Sequence, residues 1–138
     1  MFELKGIDHI VIRAKDIERM VLSYTEVIGC TVDKRRDDLG LVHLRAGASL
    51  IDLISLDGPL GKSGGAGPGA EGRNMDHLCL RVDGFDYEDL RKHFLGFNVS
   101  VSDVQSNYGA DGNGPSVYIS DPEGNVVEFK GPPYVNVH

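Results

Sequence analysis

Four side chains of this sequence are of types that could hold a cation or move a proton: His9, Asp52, His77 and Glu128. His9 sits in Ile7-Asp8-His9-Ile10-Val11-Ile12-Arg13 and His77 in Met75-Asp76-His77-Leu78-Cys79-Leu80-Arg81; both stretches read apolar-Asp-His-apolar-apolar-apolar-Arg. The chain therefore reads as two copies of one unit. Superposing the copies brings Leu50-Ile51-Asp52-Leu53-Ile54 onto Val126-Val127-Glu128-Phe129-Lys130, so the two acids coincide. Asp52 stands out because it has two apolar residues on each side, where an uncompensated charge costs several kcal/mol. A cation is the simplest compensation. Two imidazoles and two carboxylates suit Zn, Ni, Co, Mn or Fe, with positions left for water or substrate, which is a catalytic rather than a closed structural set. A single strand histidine is more often hydrogen-bonded and a single edge glutamate solvated; the recurrence in both copies favours a shared metal site.

Other residues are candidates for the same cleft. Arg13 and Arg81 each follow a histidine by four positions on the same strand face; they either bind a substrate carboxylate or pair with an acid at a strand end. Alternation places His43 and Tyr118 opposite apolar neighbours, so both are candidates to line the cleft. His43 is either a proton-transfer group or an ordinary surface histidine. Cys79 could face the site or serve as a buried thiol. His93, inside a helix, and His138, at the terminus, read as solvated.

These residues need strands to align them. Gly6 to Ala14 reads as a strand with Ile7, His9, Val11 and Arg13 on one face. A helix from Asp16 to Val27 follows, with Asp16 as N-cap and Gly29 as its stop. Strands are then expected over Thr31–Arg35, Leu41–Ala46 and Ser49–Ser55, giving βαβββ for residues 1–56. Residues 57–74 are glycine-rich, lack a G-x-x-x-x-G-K-[ST] pattern and read as a mobile linker. Residues 75–131 repeat the order: strand Asp76–Val82, helix Tyr87–Leu95 ended by Gly96, strand Val99–Val104, a loop over Gln105–Gly114, then strands Ser116–Ser120 and Asn125–Lys130 around an Asp121-Pro122-Glu123-Gly124 turn. Residues 132–138 form a tail, extended and free to reach a neighbouring subunit.

Bulk properties narrow the function. With 138 residues, 41% hydrophobic and 25% charged, the chain has the size and composition of a single soluble domain. A formal charge of −7 disfavours nucleic acid as a partner. No apolar run approaches the roughly 20 residues that cross a bilayer, and no signal-peptide pattern is present, so a cytoplasmic protein without membrane partners is expected. The 2 cysteines are too few for a disulfide framework.

Asp8-His9, Asp16 with the Ser23-Tyr24-x-x-x-Ile28-Gly29 helix end, Asp76-His77, and Asp121-Pro122-x-Gly124-Asn125-x-x-Glu128 resemble the vicinal oxygen chelate superfamily of glyoxalase I, extradiol dioxygenases and the fosfomycin- and bleomycin-resistance proteins. That resemblance implies an α+β fold of two βαβββ units in a cupped mixed sheet around one divalent metal, commonly in a homodimer. It makes His9, His77 and Glu128 metal ligands, with Asp52 where glyoxalase I has Glu. It matches Arg13 to the arginine that holds a glutathione carboxylate, although Leu56 stands where an Asn partner is expected. The implied chemistry is that of a lyase or isomerase of the lactoylglutathione lyase type: a small oxygen-chelating substrate, a metal-stabilised enediolate, and Asp52 or Glu128 as the proton-transferring base. The alternatives are an Fe(II) dioxygenase with His9, His77 and Glu128 as a facial triad, a metal-dependent antibiotic-modifying enzyme, and a non-catalytic bleomycin-type binder. The absence of Trp, with all ligand positions intact, argues against the binder.

Overall fold

A computed structural model describes residues 1–135; the final part of the expected tail, with His138, lies outside them. The chain divides into two compact units, one spanning Met1–Asn74 and the other beginning at Met75. Each is a βαβββ unit with one four-stranded mixed sheet, so the α+β class and the repeat expected from sequence are both present.

In the first unit the strands are β1 (His9–Ala14), β2 (Thr31–Arg36), β3 (Leu41–Ala46) and β4 (Ser49–Ser55), in the spatial order β1-β4-β3-β2. β1 runs parallel to β4, and the remaining pairs are antiparallel. That pairing needs a crossover, which helix α1 (Ile17–Leu22) supplies. Asp16 caps it by accepting from the Arg19 amide. The helix continues as a wider π-helical turn over Ser23–Val27. Within that turn the Thr25 hydroxyl donates to the Val21 carbonyl at 2.8 Å, competing with the backbone for that acceptor. Gly29, at φ +99°, then turns the chain toward β2. Met20, Tyr24, Ile12, Leu44 and Leu53 are fully buried in this unit.

The glycine-rich stretch is not a bare linker. It belongs to the first unit and carries a 3-10 turn at Gly61–Gly64. It lies so close to the end of β4 that a Cβ on Gly61 would come within 1.9 Å of the Ser55 carbonyl oxygen.

The second unit contains β5 (Leu78–Arg81), α2 (Tyr87–Gly96), β6 (Gln105–Gly109), β7 (Gly112–Ser120) and β8 (Val126–Lys130), ordered β5-β8-β7-β6. Phe94 of α2 packs on Phe129 of β8, ring centroids 5.1 Å apart, over buried Val117, Ile119 and Val127. Two expectations fail here. Gly96 stays inside α2, and the left-handed residue that follows is Asn98, at φ +59°. Val99–Val104 forms no strand; the fourth strand is β6, inside the expected loop. Ser102 instead donates its amide to the Tyr118 carbonyl and receives the Tyr118 amide on its hydroxyl. Among the described residues no helix is long and apolar enough to cross a membrane.

Candidate active site

In the first unit β1 and β4 align Val11 with Asp52, while β3 aligns His43 with Asp52. His9, Val11 and Arg13 point away from buried Ile12 and Ala14, as the alternation requires. His9 Nδ1 lies 2.7 Å from Asp8 Oδ1. That bond, with the Asp52 charge assisting, raises the imidazole above its ordinary pKa. Asp52 is buried, and the group that compensates it is His43, whose Nδ1 is 2.8 Å from Oδ1.

Arg13 is held by the glycine-rich stretch, donating from Nη2 to the Ala66 carbonyl. The backbone at Gly64 lies against this guanidinium, and a Cβ there would displace Arg13 Nη1.

In the second unit the histidine and the acid meet directly: His77 Nε2 is 3.0 Å from Glu128 Oε1. His77 Nδ1 is tied to Asp76 Oδ1 at 2.7 Å, repeating the Asp8–His9 arrangement. The Asp76 bond, reinforced by Glu128, raises the His77 pKa. Glu128 is buried, and Ser116 Oγ donates to its Oε2 at 2.6 Å. Asn107 Nδ2 and the Tyr118 hydroxyl also bond it. Burial by itself would raise the Glu128 pKa, but these donors and His77 outweigh it and hold the carboxyl below its usual range. Tyr118 moves the other way, raised by burial and by the Glu128 charge. Its ring stands edge-on to His77, centroids 5.7 Å apart.

A cleft of about 290 Å³ opens here, lined by His77, Cys79, Arg81, Glu128 and Lys130 among others. Arg81 is ion-paired with Asp111. Cys79 is exposed; burial of part of its surface and the Glu128 charge push its thiol up to about 11.

The four candidate ligands fall as two pairs, His9 with Asp52 in one unit and His77 with Glu128 in the other, and the structure bonds only the second pair. Among the described residues no three His, Cys, Asp or Glu side chains form a group able to hold a metal ion. The donor chemistry nonetheless fits a divalent cation. Each histidine has Nδ1 tied to a carboxylate, which fixes the ring and leaves Nε2 as its other donor atom, the support that metal-bound imidazoles use. Sequence reasoning missed Asp8, Asp76, Ser116 and Asn107. The repeated Asp-His dipeptide was the available signal for the first two; the others become neighbours of Glu128 only through strand pairing.

The chain is similar to several solved structures at the level of fold. An integron cassette protein from V. cholerae matches with TM-score 0.73 and 23% identity, over 95% of this chain and 98% of that one. A virulence protein from Salmonella typhimurium matches with TM-score 0.71 and 24% identity, over 95% and 99%. A lactoylglutathione lyase from Agrobacterium tumefaciens matches with TM-score 0.63 and 19% identity, over 93% and 94%. No curated protein gives a significant match to the chain. The sequence profile of one family matches residues 6–129, nearly the whole chain, and the two βαβββ units with their paired histidines and acids accord with it. The chain belongs to the Glyoxalase/Bleomycin resistance protein/Dioxygenase superfamily.

Proposed function

We propose that the protein is a divalent-metal-dependent lyase or isomerase of the lactoylglutathione lyase type, acting on a small substrate with adjacent oxygens. The observation that carries this reading is the His77–Glu128 pair: an oriented imidazole nitrogen 3.0 Å from a buried carboxylate. His77 and Glu128 are assigned as ligands, with His9 as the repeat equivalent of His77. A cation held by such residues would polarise the substrate oxygens and stabilise negative charge developing beside the C–H bond that loses its proton.

The protein's own groups divide the remaining work. Asp8 and Asp76 hold the two imidazoles in orientation. Ser116 and Asn107 keep Glu128 ionised, ready to accept a proton or to ligate. Asp52, bonded through Oδ1 to His43, is assigned to proton transfer. The family match is common to the lyase, dioxygenase and bleomycin-type readings; the lyase reading is taken on the oriented His77–Glu128 pair.

The direct test is metal analysis of protein purified without chelator, together with turnover of the methylglyoxal–glutathione hemithioacetal. About one divalent ion per site and measurable turnover are expected, both lost in Glu128→Gln. A chain that neither retains nor responds to divalent metal overturns the proposal.

A further inference from the structure

The cleft of the second unit holds one charge that the proposed chemistry leaves unused. Lys130 is buried, yet it lines the same cleft as His77 and Glu128. Its stem lies in a slot made by glycines of β6 and β7. A Cβ on Gly109 would come 2.9 Å from Lys130 Cε, and one on Gly114 would come 2.9 Å from Nζ. At the end of the slot Nζ donates to the Gly112 carbonyl at 2.9 Å, and among the described residues that carbonyl is its hydrogen-bond partner. An ammonium carries three N–H donors, so one neutral acceptor leaves most of its hydrogen-bonding capacity unspent. The acids of the cleft are committed elsewhere, Glu128 to His77 and Ser116, and Asp111 to Arg81.

Comparison of the repeats shows that the fold does not require this lysine. β5 and β8 align Arg81 with Lys130; the same register in the first unit aligns Arg13 with Ile54. An equivalent sheet is thus built with an aliphatic side chain at that place. The buried ammonium and its glycine slot belong to the second unit's cleft.

We propose that this cleft selects substrates carrying an oxyanion group, a carboxylate or a phosphoryl group, seated on Lys130 Nζ, with Arg81 as the second cation as the anion competes with Asp111. The proposal rests on the reading above that this cleft receives the substrate, and it names the substrate's class. Size agrees, because a cleft of about 290 Å³ takes a small molecule.

The test is an amide NMR titration of the chelator-treated full chain with inorganic phosphate and, separately, with acetate. Saturable shifts on β8 and around Gly112 are expected with at least one anion; the tighter of the two identifies the group. Lys130→Met, which keeps the stem and removes the charge, should weaken binding at least tenfold. Gly109→Ala, which displaces the stem, should weaken it in a protein whose spectrum is otherwise preserved, and Lys130→Arg should restore it. No saturable shift with either anion, or equal binding by wild type and Lys130→Met, overturns the proposal. Because binding is read without metal or turnover, anion binding without hemithioacetal turnover counts against the reaction assigned above and not against this site. Turnover without anion binding does the reverse.

Discussion

His43 and Asp52 share a 2.8 Å hydrogen bond across β3 and β4, at the register position where Tyr118 faces Glu128 across β7 and β8. One place in the repeat therefore serves its acid in two ways. In the first unit an imidazole takes Asp52; in the second, hydroxyl and amide donors surround Glu128 and one oxygen still faces His77. The two acids, equivalent by repeat, have been given different chemistry by their neighbours.

The His43–Asp52 bond should be measurable as stability. His43→Ala leaves a buried carboxylate short of a partner and should lower the unfolding free energy by about 1–3 kcal/mol, read from urea midpoints. Asp52→Ala made in addition should cost less than the sum of the single changes. Strictly additive costs would show that the two side chains are not coupled.

Glu128 predicts a pH response in the metal-free protein. Its folded pKa lies below the reference value of 4.5, so its network stabilises the fold above about pH 4.5, and that contribution is lost as pH falls through the depressed value. Ser116→Ala removes the donor at 2.6 Å and should move the acid-unfolding midpoint to higher pH. An unchanged midpoint would mean that the serine does not hold the carboxylate ionised.

Cysteine reactivity should separate the two thiols. Both are pushed up to about 11, Cys30 by burial and Cys79 by burial with the Glu128 charge added. Only Cys79 is exposed. Mass spectrometry after iodoacetamide treatment should find Cys79 modified, at a rate rising about tenfold per pH unit through the neutral range, and Cys30 unmodified until the chain unfolds. Glu128→Gln should speed Cys79 alkylation by removing a charge that opposes the thiolate.

Each helix begins on an aspartate cap: Asp16 accepts from the Arg19 amide and Asp86 from the Asp89 amide. Asp16→Ala and Asp86→Ala should each cost about 1 kcal/mol in thermal or urea unfolding. A loss near zero at either position would show that the cap is replaced by solvent without penalty.

The sequence by itself determined the repeat, the βαβββ order, the start of both helices and the bounds of β3 and β4, because those rest on local signals: side-chain period, the capping Asp16 and turn glycines. It also determined which histidine and which acid correspond between the units. Strand pairing decided the rest. β6 is a polar segment, Gln105-Ser-Asn-Tyr-Gly, with no apolar alternation to read; it is a strand because β7 offers it a ladder, and Val99–Val104, which does alternate, is not one. Strand pairing likewise set an imidazole beside Asp52, and a buried lysine over glycines that lie far from it in sequence. Periodicity along a chain tells which face a side chain takes; which neighbour it meets there depends on the register of strands that the sequence separates.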